Sequence, residues 1–392
     1  MSFLRAARAA LVGPKRHRGM LAAIIVTLFL AALLVSCGGS DHKSQNGPNH
    51  NAYVTLPTRG SVLLLHINGS TGAISVGTQT PQVQGTSPNG LALLPSKKFL
   101  YVANSQANTI SIFSVAGDGT LSATGTPVPA GAGPHSAVID STGQYLLVTN
   151  SFSNDVSVFS IDPSAGGLTE VSGSPFYANT NPSEILISPS GKFVYVSNPS
   201  IGSVTGFTFD GSTGFLTQVT GSPFTAGAGA SGITIDGSER FLYVANPSAL
   251  NPGSTTIGNI SAYNIDSNTG ILSTVLGSPF TSKVGTGPTA LVVSPDSKFV
   301  FATTSGSSYS VWCFTITPTN GQLTAVNASP FSVTSGNLFA LIDTSGNYFY
   351  IGSQASTGVA AYTYNSGTGV PTAITGSPFS TTVAPGKMVI AH

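Results

Sequence analysis

The stretch "FLYVANSQANTISIF" at residues 99–113 contains two runs of β-forming residues around a polar break that ends in Asn-Thr. The pattern nearly returns as "YLLVTNSFSNDVSVF" at 145–159, and "FLYVAN" returns unchanged at 241–246. Two such runs joined by a short polar segment predict an antiparallel strand pair. Their recurrence along the chain predicts a repeat protein.

The repeat has seven copies, most of them about 48 residues apart. The aromatics that open the full copies are Phe99, Tyr145, Phe193, Phe241, Phe299 and Tyr348, and "NAYVTL" at 51–56 is a degenerate first copy. A second marker keeps the same frame: "GSPF" begins at 173, 221, 277 and 376, with the variants "GTPV" at 125 and "ASPF" at 328. The first marker therefore divides residues 51–392 into seven units, and the six occurrences of the second keep the same frame.

Each unit holds four β runs, which we name strands A to D in chain order. A period of 40 to 50 residues with four strands is typical of the blades of a propeller. The predicted fold is therefore all-β, a seven-bladed β-propeller of four-stranded antiparallel blades over residues 51–392. Its 46 Gly, 25 Pro and 7% charged residues agree, because exposed helix faces normally need more charge.

The two ends of the repeat region predict how the ring closes. The region opens on a B strand and finishes with "APGKMVIAH" at 384–392, which aligns with the A strands "GPHSAVID" at 133–140 and "GPTALVVS" at 287–294. The last A strand should therefore pair with the first B strand, which removes two open sheet edges.

Residues 1–36 have the pattern of a signal peptide. Five basic residues precede the uncharged run "MLAAIIVTLFLAALLV" at 20–35. The run ends in "LVSC", which resembles the lipobox of bacterial lipoproteins, where the chain is cut before a cysteine that receives lipid, here Cys37. The alternative is a plain membrane anchor, although 16 apolar residues fall short of the roughly 20 that span a bilayer. Residues 37–50 are polar and Gly-rich, as in a flexible tether. The expected location is the bacterial cell envelope, outside the cytoplasm, with the lipid as the only membrane contact.

Cleavage before Cys37 would leave nine basic residues against 13 acidic ones, a formal charge of −4. This balance excludes the basic surface that nucleic-acid binding needs. Only Cys313 accompanies Cys37, so no intramolecular disulfide is expected. We expect Cys313 to be a buried thiol and the protein to be a monomer.

The segments "YLLVTN" and "YVANSQANTISIF" resemble the YVTN-type repeats of bacterial propellers, and the units as a whole resemble the lactonase family, which includes 6-phosphogluconolactonases. The likeness covers nearly all of residues 51–392. It implies a propeller and a hydrolase of lactones. The family often carries His at the start of an A strand, and "GPHSAVIDSTGQY" at 133–145 places His135 there.

The strand order also sorts the acidic residues. In a propeller the D-to-A and B-to-C connections share one face, commonly the ligand face. Most of the Asp residues fall in or beside the turns of the opposite face, where Asp is a common turn former. Only Asp155 and Glu184 remain on the ligand face.

His135 and Glu184 occupy successive A-strand starts, so both are predicted to reach the central mouth. They could act as base and acid in the hydrolysis of an ester or lactone. Arg59 or Lys387 could hold an anionic substrate, and Lys283 is a further cation on this face. Asp155, Arg59, Lys283 and Lys387 are therefore the candidate ligand-binding residues.

The sequence offers no serine-hydrolase, zinc or phosphate-loop motif, so neither a metal nor a cofactor is expected. Two functions remain open. The first is a propeller that binds a small polar ligand and hydrolyses a sugar lactone at its mouth. The alternative is a non-catalytic scaffold whose surface serves protein or glycan contacts in the envelope; the sequence identifies no protein partner.

Three further features carry expectations. The Asn residues that end successive B strands should cap loops, since they recur too regularly to form one active site. Trp312 should be exposed, because other C strands carry Ser or Thr at its position. The long B-to-C loop at 246–259 has two interpretations. It is either an insertion that contributes to the ligand face or a change in the length of a surface loop that the fold tolerates.

Overall fold

The computed structural model describes residues 49–81, 87–247, 258–281, 287–304, 310–327, 329–333, 339–352 and 357–391. Regular structure in these ranges is β, apart from one 3₁₀ turn at Pro57–Arg59. Across the described ranges, no helix has the length and apolar character needed to cross a bilayer. The predicted all-β class is confirmed.

The strands form seven antiparallel sheets, one for each blade. Blade 1 contains β1 (His50–Leu56), β2 (Ser61–Ile67) and β3 (Ile74–Gln79). Blade 2 contains β4 (Pro88–Leu93), β5 (Phe99–Asn104), β6 (Thr109–Val115), β7 (Leu121–Ala123) and β8 (Val128–Pro129). Blade 3 contains β9 (Pro134–Ile139), β10 (Tyr145–Asn150), β11 (Asp155–Ile161), β12 (Leu168–Glu170) and β13 (Phe176–Tyr177). Blade 4 contains β14 (Ile185–Ile187), β15 (Phe193–Asn198), β16 (Ser203–Phe209), β17 (Leu216–Gln218) and β18 (Phe224–Thr225).

The remaining blades repeat this plan. Blade 5 contains β19 (Ile233–Ile235), β20 (Phe241–Asn246), β21 (Asn259–Ile265), β22 (Leu272–Thr274) and β23 (Phe280–Thr281). Blade 6 contains β24 (Pro288–Val293), β25 (Phe299–Thr304), β26 (Ser310–Ile316), β27 (Leu323–Ala325) and β28 (Phe331–Ser332). Blade 7 contains β29 (Phe339–Ile342), β30 (Tyr348–Gly352), β31 (Gly358–Tyr364), β32 (Pro371–Ala373) and β33 (Phe379–Ser380). The chain ends on β34 (Met388–Ala391), the inner strand of blade 1.

Strand β34 closes the ring as predicted. It pairs antiparallel with β1, from Asn51 opposite Ala391 to Val54 opposite Met388. The pairing continues into the preceding loop, where the Thr55 N–H donates to the Lys387 carbonyl at 2.9 Å. The first and last strands of the propeller thus share one sheet.

The "SPF" part of the second marker builds the short fifth strand found in most blades. Its Phe begins a two-residue strand that pairs with the start of the C strand, as Phe176 does opposite Val156. Its Ser accepts a hydrogen bond from a C-strand N–H at 2.9–3.1 Å; these residues are Ser174, Ser222, Ser278, Ser329 and Ser377. The marker recurs because six of the seven blades have this connection outside the C strand.

Tyrosines in the B strands fasten most blades to the next one. The hydroxyl of Tyr101 donates to the Gly166 carbonyl in the C-to-D turn of the following blade at 3.0 Å. Tyr350 does the same across the ring closure, to the Gly72 carbonyl at 3.2 Å. Both rings are fully buried. The aromatic third position of "FLYVAN" therefore has a role between blades.

The B-strand Asn residues were expected to cap loops, and the structure shows them holding the neighbouring C strand as well. Asn104 donates to the Ser111 hydroxyl at 2.9 Å, and Thr205 donates to Asn198 at 2.8 Å. Blade 6 replaces this polar pair: Thr304 stands in the Asn position and Trp312 in the Ser position.

The expectation that Trp312 is exposed is wrong. Its side chain is 1% exposed and stacks on Phe314 with ring centroids 6.0 Å apart. The Ser and Thr residues at this C-strand position are themselves buried against the adjacent blade, so an indole there enters the core as well. Cys313 is buried as expected, and burial raises the pKa of its thiol to about 12.

Candidate active site

The inner strands of all seven blades enclose a cavity of about 730 Å³ on the propeller axis. Its lining is mostly aliphatic side chains and backbone, as at Leu91, Ile185 and Leu291. Among the described residues, only three that line it are ionisable: His135, Glu184 and Lys387. The two predicted catalytic residues and one predicted ligand residue therefore meet in one cavity.

Glu184 is the centre of this group. Lys387 Nζ contacts Glu184 Oε1 directly, and His135 Nδ1 lies 4.0 Å from the same oxygen. The second carboxylate oxygen, Oε2, accepts a hydrogen bond from the Ser136 hydroxyl at 3.2 Å. The side chains of His135, Glu184 and Lys387 are 29%, 22% and 23% exposed. We call these three residues the axial triad.

The ion pair crosses the ring. Lys387 precedes β34 in blade 1, whereas Glu184 precedes β14 in blade 4. His135 is the second residue of β9 in blade 3. The closing strand thus brings the lysine that neutralises a carboxylate three blades away, so the triad depends on the closed ring.

A hydroxyl on the neighbouring B strand supports each backbone segment of the triad. Thr55 accepts from the Lys387 N–H at 2.9 Å, and Ser197 accepts from the Glu184 N–H at 3.1 Å. Thr149 accepts from the Ser136 N–H at 3.0 Å and donates to the Ser183 carbonyl at 2.7 Å. Thr149 therefore ties the strand of His135 to the residue before Glu184.

Sequence analysis did not identify these supporting hydroxyls. They occupy the fifth position of the B strand. Blades 2 and 5 carry Ala103 and Ala245 there, but blade 6 carries Thr303 without an ionisable lining residue among those described, so a hydroxyl at this position does not by itself identify the blades that supply the triad.

Close packing of the A strands also positions His135. Gly90 of β4 lies directly against the His135 backbone, and a Cβ at this position would come within 2.7 Å of the His135 carbonyl oxygen. Real Cβ contacts are not this short, so only glycine allows β4 to approach β9 here.

The pKa of Glu184 reflects two opposed effects. Burial raises it, but the charge of Lys387, the proximity of His135 and the hydrogen bonds from Lys387 and Ser136 together outweigh burial, so the pKa lies below its ordinary value. Glu184 is therefore a carboxylate at neutral pH, paired with the Lys387 ammonium.

The pKa of His135 is shifted in the direction that keeps the imidazole neutral. Burial lowers its pKa, and the nearby Lys387 adds to that effect, while Glu184 and the hydrogen bond to Ser183 oppose it. The net pKa lies below the usual 6.5. The imidazole is therefore neutral at pH 7, with one ring nitrogen protonated.

The neighbours of His135 identify that nitrogen. Nδ1 lies 3.3 Å from the Ser183 carbonyl oxygen. A carbonyl can only accept, so the proton resides on Nδ1 and Nε2 carries a lone pair. Nε2 makes no hydrogen bond to any residue the structure describes. A neutral imidazole held at one nitrogen and open at the other is the arrangement that a general base requires.

The other predicted ligand residues lie elsewhere. Arg59 ends the 3₁₀ turn and donates to Gln79 at 3.4 Å, outside the cavity lining. Asp155 accepts from Asn150 at 2.7 Å and from Ser153, also outside the lining. Lys283, Cys37 and residues 248–257 of the long loop lie outside the described residues. In the described ranges, no three His, Cys, Asp or Glu side chains cluster as a metal site would need.

Comparison with known proteins gives the same architecture. The family model "Lactonase, 7-bladed beta-propeller" matches residues 42–178, 171–278 and 258–383. No curated protein sequence matches the chain.

Several solved structures superpose on most of the chain. A candidate 6-phosphogluconolactonase from Bacteroides uniformis has a TM-score of 0.73 at 19% identity, covering 88% of this chain and all of its own. A second one, from Bacteroides fragilis, has a TM-score of 0.73 at 19% identity, covering 90% of this chain and 99% of its own. The periplasmic gluconolactonase of Pseudomonas aeruginosa has a TM-score of 0.72 at 17% identity, covering 88% and 99%. At these identities the likeness establishes the fold.

Proposed function

The chain belongs to the lactonase family of seven-bladed β-propellers, and from this premise we propose that its central cavity hydrolyses a sugar lactone. The observation that carries the proposal is the state of His135: a neutral imidazole with an open Nε2, beside a paired carboxylate and ammonium, in a cavity large enough for a small molecule.

In the proposed hydrolysis, His135 transfers the proton and Lys387 stabilises the developing negative charge. His135 Nε2 takes a proton from water as the water oxygen attacks the lactone carbonyl carbon. The carbonyl electrons move to the oxygen, and an N–H of Lys387 that is not engaged by Glu184 stabilises that charge. The ring C–O bond then breaks, and the imidazolium returns the proton to the departing oxygen. The product is the open hydroxy acid.

Glu184 is the positioning residue of this scheme. Its carboxylate holds the Lys387 ammonium at the cavity wall and lies 4.0 Å from the His135 ring. A fixed negative charge at this distance stabilises the imidazolium that forms during the reaction.

Turnover of glucono-δ-lactone, measured as acid release above the uncatalysed rate, tests the proposal. We expect turnover at pH 7, and we expect kcat/KM to fall as the pH drops through an apparent pKa below 6.5. The sign follows from the neutral imidazole being the active form, which protonation removes. Glu184 stays ionised over this range because its pKa is lowered. Absence of turnover across a panel of lactones contradicts the proposal and favours the scaffold alternative.

We also propose that residues 1–36 are a lipoprotein signal and that Cys37 carries lipid, supported by the "LVSC" pattern after an apolar run. Expression in a bacterium with labelled palmitate should label the wild-type protein and place it in the membrane fraction. Cys37→Ala should abolish the label. Labelling that persists in this variant, or an unlabelled wild type, contradicts the proposal.

A further inference from the structure

We infer that the substrate is an uncharged lactone, one without a phosphate group; this inference rests on the proposed function and specifies its substrate class. It departs from the expectation that Lys387 holds an anionic substrate. The juxtaposition that carries it is the ion pair between Lys387 and Glu184 inside the cavity.

The charges that line the cavity cancel. Lys387 is the only cation among the described lining residues, and its partner Glu184 is the only carboxylate. His135 contributes no charge while its imidazole is neutral. The described part of the lining therefore has no excess positive charge to balance an anion.

A phosphate monoester carries a charge of about −1.5 to −2 at pH 7. It would have to share the ammonium of Lys387 with Glu184. If it displaced the carboxylate, Glu184 would be left in the cavity without its cation and next to a second anion, and like charges brought together at a binding site are costly. If it did not, the phosphate would be desolvated without a counter-charge.

Two further cations were candidate ligand residues, and the structure describes one of them. Arg59 lies outside the cavity lining and donates to Gln79. Lys283 lies outside the described residues and is therefore tested directly below.

The neutral polar groups in the lining suit hydroxyl groups instead. Asn89 lines the cavity, and its side-chain amide makes no hydrogen bond to the residues that the structure describes. The Ser136 hydroxyl points to Glu184, and the Ser231 hydroxyl donates to the Thr289 carbonyl at 3.1 Å. An amide and hydroxyls can exchange hydrogen bonds with a sugar ring without any change in net charge.

Two substrates that differ only in the phosphate test the inference: glucono-δ-lactone and 6-phosphoglucono-δ-lactone, assayed on the same protein at pH 7. We expect kcat/KM for the uncharged lactone to be higher by about tenfold or more, since each 1.4 kcal/mol of unfavourable charge contact corresponds to a factor of ten. The ratio within each protein is the readout, so it is independent of the absolute rate.

Glu184→Gln should reduce this ratio, because it frees the ammonium of Lys387 for the phosphate. Asp296→Asn is the matched control: it removes the acid of the Lys298–Asp296 pair, whose oxygen and nitrogen lie 3.1 Å apart on the surface. The control should leave the ratio at the wild-type value.

The possible results distinguish failure of the substrate inference from failure of the proposed lactone hydrolysis. Preference for the phosphorylated lactone overturns the inference and leaves lactone hydrolysis in place. If that preference is lost in Lys283→Ala, Lys283 is the cation that binds the phosphate; if it persists, the inference is overturned all the same. An unchanged ratio in Glu184→Gln also overturns the inference. Turnover of neither lactone overturns the proposed function itself.

Discussion

Deletion of residues 386–392 should destabilise the protein more than any other change that leaves the repeats intact, because it opens the ring. It removes β34, whose four paired positions cover the inner edge of β1. It also removes the buried side chain of Met388 and the lysine of the axial triad. The exposed edge of β1 would then be free to pair with other chains.

The expected loss is a large part of the total stability. Burial of a side chain such as Met388 contributes about 1.5–3 kcal/mol, and each backbone hydrogen bond about 1 kcal/mol. The loss therefore approaches the lower end of the roughly 5–15 kcal/mol that typical domains have. A fall in melting temperature of about 10 °C or more should follow, or failure to fold.

Two further variants keep this prediction testable if the truncated protein is insoluble. Met388→Ala should lower the free energy of unfolding by about 2–5 kcal/mol. Deletion of His392 alone, which follows β34, should have little effect. A truncated protein that melts at the wild-type temperature would contradict ring closure.

The fold could be predicted from the sequence because the same strand pattern recurs along the chain. A single "FLYVAN" is only a strand, but recurrence near 48 residues, with a second marker in frame, fixes the number of blades and the strand order. Closure was predictable because the repeat region opens on a B strand and finishes on an A strand. The pairing of β34 with β1 confirms it.

The site was predictable only in part. Strand order placed His135 and Glu184 at the starts of successive A strands, one position apart in register, and the structure brings His135 Nδ1 to 4.0 Å from Glu184 Oε1. It did not reveal that Lys387 reaches Glu184 across the ring, since that contact depends on the diameter of the cavity and on side-chain direction. Arg59 and Asp155 lie on the expected face but outside the cavity, because a face contains many loops and the described lining comes from the inner strands and their starts, apart from Pro57 and Pro247.

The error at Trp312 has a similar cause. Ser and Thr at a C-strand position suggest a surface, and the sequence does not show that each is buried and bonded to a B-strand Asn, as Ser111 is to Asn104. Blade 6 lacks that Asn, and a large buried side chain, Trp312, fills the C-strand position instead of a hydroxyl. In blade 6 the B-strand Asn and the C-strand Ser are replaced together, by Thr304 and Trp312. This joint replacement is the signal that would have corrected the prediction.

Replacement of His135 by Gln should have the largest effect on activity. Gln can still donate to the Ser183 carbonyl and fills a similar volume, but its amide cannot take a proton from water at neutral pH. Loss of a general base typically costs about 10²–10⁴-fold in rate. The fold should persist, because the strand of His135 is held by Thr149 and by packing against Gly90.

His66→Gln is the matched control. His66 lies in β2, with Nδ1 2.8 Å from the Asn51 side chain, and it does not line the cavity. The same substitution there should leave turnover within about twofold of wild type, as expected for a residue that touches no reacting group.

The most direct test of lactone hydrolysis at the propeller axis is therefore kcat for glucono-δ-lactone in wild type, His135→Gln and His66→Gln, each with its melting temperature. We expect a loss of about 10²-fold or more in His135→Gln alone, at an unchanged melting temperature. Equal turnover in all three proteins would show that the axial triad is not the site of the reaction.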